Sequence, residues 1–146
     1  MTAPARALFI AEPPVQYLVQ PPVVVDCSTL AGVVFEEHWR QQALERIQGK
    51  VLHAPYLLQV EMTSVAAKKH KQGYADLATE GLAQFKAMDV NLYQIEPVGV
   101  LTLATRYQLS AYDAAYLWLA AELKCPLATF DEKLATAAQA HLSALP

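Results

Sequence analysis

The chain has 146 residues, 54% of them hydrophobic and 17% charged, with a formal net charge of −3. This length predicts one domain that buries about two-thirds of the surface of its unfolded chain. No apolar run approaches the ~18–20 residues that span a bilayer, so we expect no membrane association. The acidic balance argues against nucleic-acid binding driven by charge alone.

The first 22 residues carry five of the nine prolines. They predict an extended arm, with short edge strands in the apolar runs 7–11 and 15–19. The prolines also make this end a poor signal peptide, and the two cysteines do not form a disulfide framework. We therefore expect a cytoplasmic protein with an arm over residues 1–22 and one domain over residues 23–146.

From residue 23 onward, apolar strands alternate with helices. The predicted strands span 23–27, 51–53, 92–95 and 127–130. The predicted helices span 29–35, 37–48, 55–71, 74–88, 97–107, 111–124 and 132–141. This alternation predicts an α/β fold, a three-layer α/β/α sandwich with a central, mainly parallel sheet of four to five strands. In such sheets, ligands bind beyond the carboxyl ends of the strands.

Four acidic residues have unusually apolar neighbours: Asp26, Glu61, Asp113 and Asp131. Asp26 and Asp131 follow predicted strands, at the edge of the sheet where ligands bind. A carboxylate is rarely buried without a cation or hydrogen-bond donors. The four acids therefore predict a shared divalent metal, which indicates phosphoryl chemistry. With these four set aside as cation ligands, ten of the 14 acidic residues remain against 11 basic ones, so a nucleic-acid substrate is not excluded.

Each acid also has a structural interpretation. Glu61 could lie at the edge of an apolar helical stripe and reach water along its stem. Asp113 could complete a capping box with the serine three residues earlier, and Asp131 could cap the last helix. Asp26 has the weakest alternative, because we expect Ser28 to cap the helix that follows it.

The segments that carry the four acids resemble those of PIN domains. They read Val-Val-Val-Asp-Cys-Ser at 23–28, Pro-Tyr-Leu-Leu-Gln-Val-Glu at 55–61, Leu-Ser-Ala-Tyr-Asp-Ala-Ala-Tyr at 109–116 and Leu-Ala-Thr-Phe-Asp-Glu-Lys-Leu at 127–134. They occur in the family's order, and the resemblance covers roughly four-fifths of the chain. Within the family, the chain is most similar to VapC-type toxins of bacterial toxin–antitoxin pairs.

The resemblance implies a metal-dependent endoribonuclease that uses one or two Mg²⁺ or Mn²⁺ ions. It carries over the four acids as metal-binding and catalytic residues, with Ser28 and Thr129 as their hydrogen-bonding neighbours. It also implies an RNA substrate, an antitoxin protein and a homodimer. Because crowded acids raise one another's pKa, we expect activity to need divalent metal and to fall at low pH.

Two features depart from the family pattern. Family members often begin almost directly with the first strand, whereas this chain has a 22-residue arm. Cys27 also stands where Thr or Ser commonly follows the first acid. Strand alternation predicts that the Cys27 side chain turns away from Asp26, with little chemical consequence.

The only basic cluster ends the helix that carries Glu61, and consists of Lys68, Lys69, His70 and Lys71. Its three lysines are candidate RNA contacts. The alternative is a favourable interaction with the negative end of that helix. Tyr112, next to Asp113, is a further candidate RNA contact, although aromatic residues in such helices more often belong to the core.

Two other functions stay open. A PIN nuclease could process RNA without any antitoxin, and a PIN fold could serve as an interaction module that does not cleave. The intact set of four acids weighs against the module, because a scaffold has no reason to keep costly buried charges. A small neighbouring gene for a DNA-binding protein would distinguish the toxin from the processing nuclease.

Overall fold

Four parallel strands form the centre of the computed structural model, which describes residues 8, 9, 11 and 20–146. The strands are Pro22–Val25 (β1), Val51–Pro55 (β2), Val90–Tyr93 (β3) and Leu127–Ala128 (β4). Their order in the sheet is β3-β2-β1-β4. The edge strand predicted for 15–19 lies outside the described residues, and the described residues 8, 9 and 11 of the run 7–11 are not in a strand.

Helices cover both faces of this sheet. Within residues 20–146 they are Cys27–Val34 (α1), Arg40–Ile47 (α2), Leu57–Lys71 (α3), Ala75–Ala87 (α4), Pro97–Tyr107 (α5), Ala111–Leu123 (α6) and Glu132–Ser143 (α7). Right-handed crossovers put α1 to α4 on one face and α5 and α6 on the other. Accordingly, α1 packs against α2 and α4, whereas α6 packs against α5 and α7. The α/β class and the parallel sheet are therefore as predicted.

No helix in the described part of the chain is long and apolar enough to cross a membrane.

The core explains two sequence patterns. Val23, Val24 and Val25 of β1 are each at most 3% exposed, as expected for a central parallel strand covered on both faces. Helix α6 contacts β1, β2 and β4, and nearly all of its residues from 114 to 120 are buried. A helix that is apolar on every side is therefore the one that crosses the middle of the sheet.

Some predicted boundaries were wrong. Pro55 was predicted to open α3, but it ends β2 instead, and the helix begins at Leu57. Strand β3 covers 90–93 rather than the predicted 92–95. Its last residue, Tyr93, pairs with Pro55, the last residue of β2. Strand β4 ends at Ala128 because Thr129 leaves the sheet to hydrogen-bond Asp26.

Gly81 of α4 lies directly against the end of α1. A Cβ atom there would lie 2.8 Å from the carbonyl oxygen of Val34 and closer still to the ring of Phe35, which is only 1% exposed. We therefore expect Gly81→Ala to lower the free energy of unfolding by about 1–3 kcal/mol through overpacking. Helix propensity alone favours Ala by about 1 kcal/mol, so unchanged or higher stability in urea unfolding would contradict this contact.

Candidate active site at the carboxyl end of the sheet

Asp26 stands at the junction between β1 and α1 and is only 5% exposed. One carboxylate oxygen, Oδ1, accepts hydrogen bonds from the Ser28 hydroxyl at 2.7 Å and from the Thr29 amide at 3.1 Å. Asp26 is therefore the N-cap of α1, and the prediction that Ser28 caps this helix was wrong. The helix starts two residues earlier than expected because the aspartate itself accepts from a free amide of the first turn.

The segment after β4 is fastened to Asp26 by two hydroxyl groups. The Thr129 hydroxyl donates to Oδ2 of Asp26 and accepts from the Asp131 amide at 2.9 Å. The Ser28 hydroxyl, which donates to Oδ1, accepts from the Phe130 amide at 2.9 Å. Both oxygens of Asp26 are thus held in a fixed orientation, and Asp131 is brought to the same edge of the sheet.

Thr29 is a site residue that the sequence interpretation missed. Its side chain is fully buried, and its hydroxyl lies 3.0 Å from Oδ1 of Asp26 and 2.9 Å from the Ala128 carbonyl oxygen. One hydroxyl hydrogen can serve only one of these acceptors at a time. The sequence held one signal for Thr29. A polar residue three positions after an N-cap residue, here Asp26, faces back toward the cap and can hydrogen-bond it.

Glu61 lies early in α3 and is half-buried. Its Oε1 accepts a hydrogen bond of 2.6 Å from the hydroxyl of Tyr116, a residue of α6 that is 1% exposed. Tyr116 is thus a core residue, as expected, but its polar tip reaches the site. The sequence held a weak signal for this contact, because Tyr116 lies one helical turn after Asp113 on α6.

The remaining two acids begin helices. The Ser110 hydroxyl caps α6 by accepting from the Asp113 amide at 3.1 Å. Asp131 caps α7, with Oδ1 accepting from the Leu134 amide at 2.8 Å. The capping interpretation of Asp131 is therefore correct, and the bond between Ser110 and the Asp113 amide is one of the two that make up a capping box. These caps leave Asp113 and Asp131 at the carboxyl edge of the sheet with the other two acids.

The carboxylates are close enough to act on one another's ionisation. Burial is the largest cause that raises the pKa of Asp26, Glu61 and Asp113. The charges of Asp113 and Asp26 raise the pKa of Glu61 further, and those of Asp131 and Asp26 raise the pKa of Asp113. The structure thus places Asp26, Glu61 and Asp113 close enough to interact electrostatically, and links Asp131 to them through Asp113.

The strand assignment on which the expectation for Cys27 rested was wrong. Because β1 ends at Val25, Cys27 is the first residue of α1 rather than a strand residue, and alternation does not apply to it. Its half-buried thiol donates to the Met62 sulfur at 3.7 Å. Burial, with smaller effects from the Glu61 and Asp26 charges, raises its pKa to about 12. Cys27 therefore stays a neutral thiol beside the site at neutral pH.

The donors of this site suit a hard divalent cation. Carboxylate and hydroxyl oxygens are the ligands that Mg²⁺ and Mn²⁺ prefer, and a cation would offset the repulsion that raises these pKa values. In the described residues, no three carboxylate, imidazole or thiol side chains lie close enough to enclose one ion. The acids share an electrostatic environment without forming a closed coordination sphere.

The predicted basic cluster is only partly available for a substrate. The Lys69 ammonium forms an ion pair of 2.6 Å with Glu37. Lys68 and Lys71 are exposed, but they lie about 10–15 Å along the helix axis from Glu61 at ~1.5 Å per residue. Tyr112 is 65% exposed beside Asp113, so it belongs to the surface and not to the core.

Known proteins resemble this chain over most of its length. The family model for the PIN domain matches residues 23–140. Ribonuclease VapC9 of Mycobacterium tuberculosis is 31% identical over 122 residues, which are 82% of this chain and 93% of that protein. The same values hold for VapC ribonuclease Mb0985 of Mycobacterium bovis. Ribonuclease VapC3 of Pyrobaculum aerophilum is 31% identical over 120 residues, 77% of this chain and 92% of that protein.

A solved structure agrees with the fold. The crystal structure of PAE2754 from Pyrobaculum aerophilum superposes with a TM-score of 0.65 at 21% identity. The match covers 86% of this chain and 96% of that one. Family profile and relatives together establish that the chain belongs to the PIN-domain family and is of the VapC type.

Proposed function

We propose that this protein is a metal-dependent endoribonuclease and the toxin of a type II toxin–antitoxin pair. The observation that carries the proposal is the closeness of the carboxylates at the sheet edge, where burial raises the pKa of Asp26, Glu61 and Asp113, and like charge raises the pKa of Glu61 and Asp113 further. Such a site costs stability unless a cation binds it. The relatives named ribonucleases supply RNA as the substrate class.

Asp26, Glu61, Asp113 and Asp131 are the residues that would hold one or two Mg²⁺ or Mn²⁺ ions. A bound divalent ion supplies activation of water and compensation of negative charge during phosphodiester hydrolysis. The protein's own contribution is to hold the ligands in place. Hydroxyl groups fix both oxygens of Asp26, and the phenol on α6 fixes Glu61. Pre-oriented ligands lose little freedom when the substrate arrives.

The partners follow from the family. VapC-type members pair with an antitoxin protein and form homodimers, and we extend both features to this chain, together with a cytoplasmic location. Without an antitoxin, the same site would serve an RNA-processing nuclease. A non-cleaving module is the alternative that a cleavage assay excludes.

The proposal is tested by cleavage of RNA with purified, antitoxin-free protein in Mg²⁺ or Mn²⁺, with EDTA as the control. We expect cleavage only with the metal. Circular dichroism should show that the protein is folded in both conditions. Intact RNA under every condition, from a folded protein and across structured and unstructured substrates, would overturn the nuclease proposal in favour of the interaction module.

Tyr116→Phe should weaken metal binding. The substitution removes the hydroxyl that donates to Glu61, and loss of such a supporting bond typically costs about 10–100-fold in metal affinity. We expect an Mn²⁺ dissociation constant at least about tenfold higher by calorimetry, with cleavage partly restored at high Mn²⁺. Tyr107→Phe is the matched control, since its hydroxyl bonds His141 at 2.9 Å outside the site. Equal Mn²⁺ affinity in both variants would refute this role for Tyr116.

A further inference from the structure

Three aromatic rings form a surface beside the carboxylates, which we call the stacking surface: His38, Trp39 and Phe130. The ring centroids of His38 and Trp39 are 4.7 Å apart, and those of Trp39 and Phe130 are 6.1 Å apart with planes tilted by 42°. His38 is exposed, Trp39 is half-buried and Phe130 is 37% exposed. Phe130 therefore leaves a large apolar ring partly in water, next to a highly charged site.

This surface is tied directly to the site. The Trp39 indole donates to the Ser28 carbonyl oxygen at 3.0 Å, and the Phe130 amide donates to the Ser28 hydroxyl at 2.9 Å. Ser28 in turn donates to Asp26. Phe130 also stands between Thr129 and Asp131 in sequence. Phe130 is therefore adjacent to Asp131 in the chain, and Trp39 is joined to Asp26 through Ser28.

Trp39 has a structural role in the fold, but that role does not explain why the Phe130 ring is partly exposed. The Trp39 indole packs on Gly32, where a Cβ atom would overlap the ring, so Trp39 helps to join α1 and the segment before α2. Phe130 contributes only the edge of this cluster and is not part of the buried core. Its ring is better explained by contact with something outside the chain.

A basic groove continues from the stacking surface. It has a volume of about 1230 Å³, runs along β4, which is an edge strand among the described residues, and has Thr129 and Phe130 in its wall. Three basic side chains, Arg46, Lys50 and Lys124, and one acidic side chain, Glu45, also line it. An RNA strand whose base rests on Phe130 could run along this groove toward the amino ends of β2 and β4, where Lys50 and Lys124 offer positive charge for its phosphates. The carboxylate site itself repels those phosphates.

We propose that the stacking surface is a subsite for one unpaired nucleobase of the RNA substrate, with adjacent phosphates entering the basic groove. The inference rests on the proposed ribonuclease function. Aromatic rings bind the faces of splayed-out bases, which a continuous duplex keeps covered. The subsite therefore selects single-stranded RNA, or a loop, at the cleavage position.

The test is binding of a fluorescein-labelled, mixed-sequence RNA decamer by anisotropy, in an Asp113→Asn background with Mg²⁺ so that the RNA stays intact. Loss of a base stack costs about 1–3 kcal/mol, which converts to a roughly 5- to 150-fold weaker dissociation constant. We expect this loss for Phe130→Ala, retention for Phe130→Tyr, and no change for Tyr74→Ala, an exposed aromatic on another part of the surface. Thermal melting checks that each variant folds.

A second measurement locates the RNA without altering Phe130. With Trp118→Phe added, the one remaining tryptophan is Trp39, whose fluorescence should be quenched by the single strand and much less by a duplex of the same sequence. Equal affinity for RNA in Phe130→Ala and Phe130→Tyr would overturn the subsite, even if wild-type protein cleaves RNA and the nuclease proposal stands. Loss of antitoxin binding without loss of RNA binding would reassign the surface to a protein partner.

Discussion

Asp113→Asn should abolish metal-dependent RNA cleavage while removing a source of instability from the metal-free protein. Removal of one group that stabilises charge in the transition state typically lowers the rate by about 10²–10³-fold, and we expect at least that loss when a metal ligand is removed. The pKa of Asp113 is raised by burial and by the charges of Asp131 and Asp26. At neutral pH its negative charge is therefore unfavourable in the folded state, and neutralising it relieves the repulsion.

The matched control is Asp76→Asn. Asp76 also lies in the first turn of a helix, α4, so its neutralisation measures the loss of a favourable interaction with a helix N-terminus. In EDTA, we expect Asp113→Asn to melt about 1–3 °C above Asp76→Asn, as a repulsion of up to ~1 kcal/mol predicts for this size. Asp76→Asn should cleave RNA normally.

With Mn²⁺ present, the wild type should gain more thermal stability than Asp113→Asn. Mn²⁺ should raise the melting temperature of the wild type by mass action and that of Asp113→Asn much less. A variant that is inactive, yet gains as much stability from Mn²⁺ as the wild type, would remove Asp113 from the metal site.

Local sequence was sufficient to locate the edge of the sheet that carries the site. The run Val23-Val24-Val25 predicted a central strand, and a charge at its end predicted the functional edge. Asp131 after β4 followed from the same rule, because parallel strands end together. Alternation of strands and helices then limited the fold to few topologies, since crossovers of parallel strands are right-handed. These features depend on near neighbours in the chain.

The hydrogen bonds that support the acids could not be predicted from local sequence. The bond between Glu61 and Tyr116 joins residues 55 positions apart, and it depends on how closely α3 and α6 approach across the sheet. The bond between Thr129 and Asp26 spans 103 positions. The N-cap at Asp26 was missed for a related reason. Two nearby residues had suitable side chains, and only the bend of the chain after β1 decides between them.

Activity and metal-free stability should respond to pH in opposite directions. Asp26, Glu61 and Asp113 bind protons more tightly in the folded protein than in the unfolded chain. Their contribution to stability is therefore fully present below the ordinary pKa values, 3.8 for aspartate and 4.5 for glutamate. It is lost as the pH rises through the raised values. Metal binding needs the ionised carboxylates, so cleavage should instead rise with pH.

Two histidines also make stability depend on pH, and their contribution must be separated from that of the carboxylates. Burial lowers the pKa of His53 and His141, so their contribution to stability is fully present above the ordinary value of 6.5 and is lost as the pH falls through the lowered values. The histidines contribute equally to the melting temperatures of the wild type and Asp113→Asn. Their contribution therefore cancels in the difference between the two.

In EDTA, the melting-temperature advantage of Asp113→Asn should shrink as the pH falls from 7.5 to below the ordinary aspartate value of 3.8. Over the acidic part of that range, wild-type cleavage at fixed Mg²⁺ should fall by about tenfold per pH unit for each proton that must leave. A difference that stays constant with pH would show that Asp113 is not under electrostatic strain. A cation would then not be needed to offset the charge of Asp113.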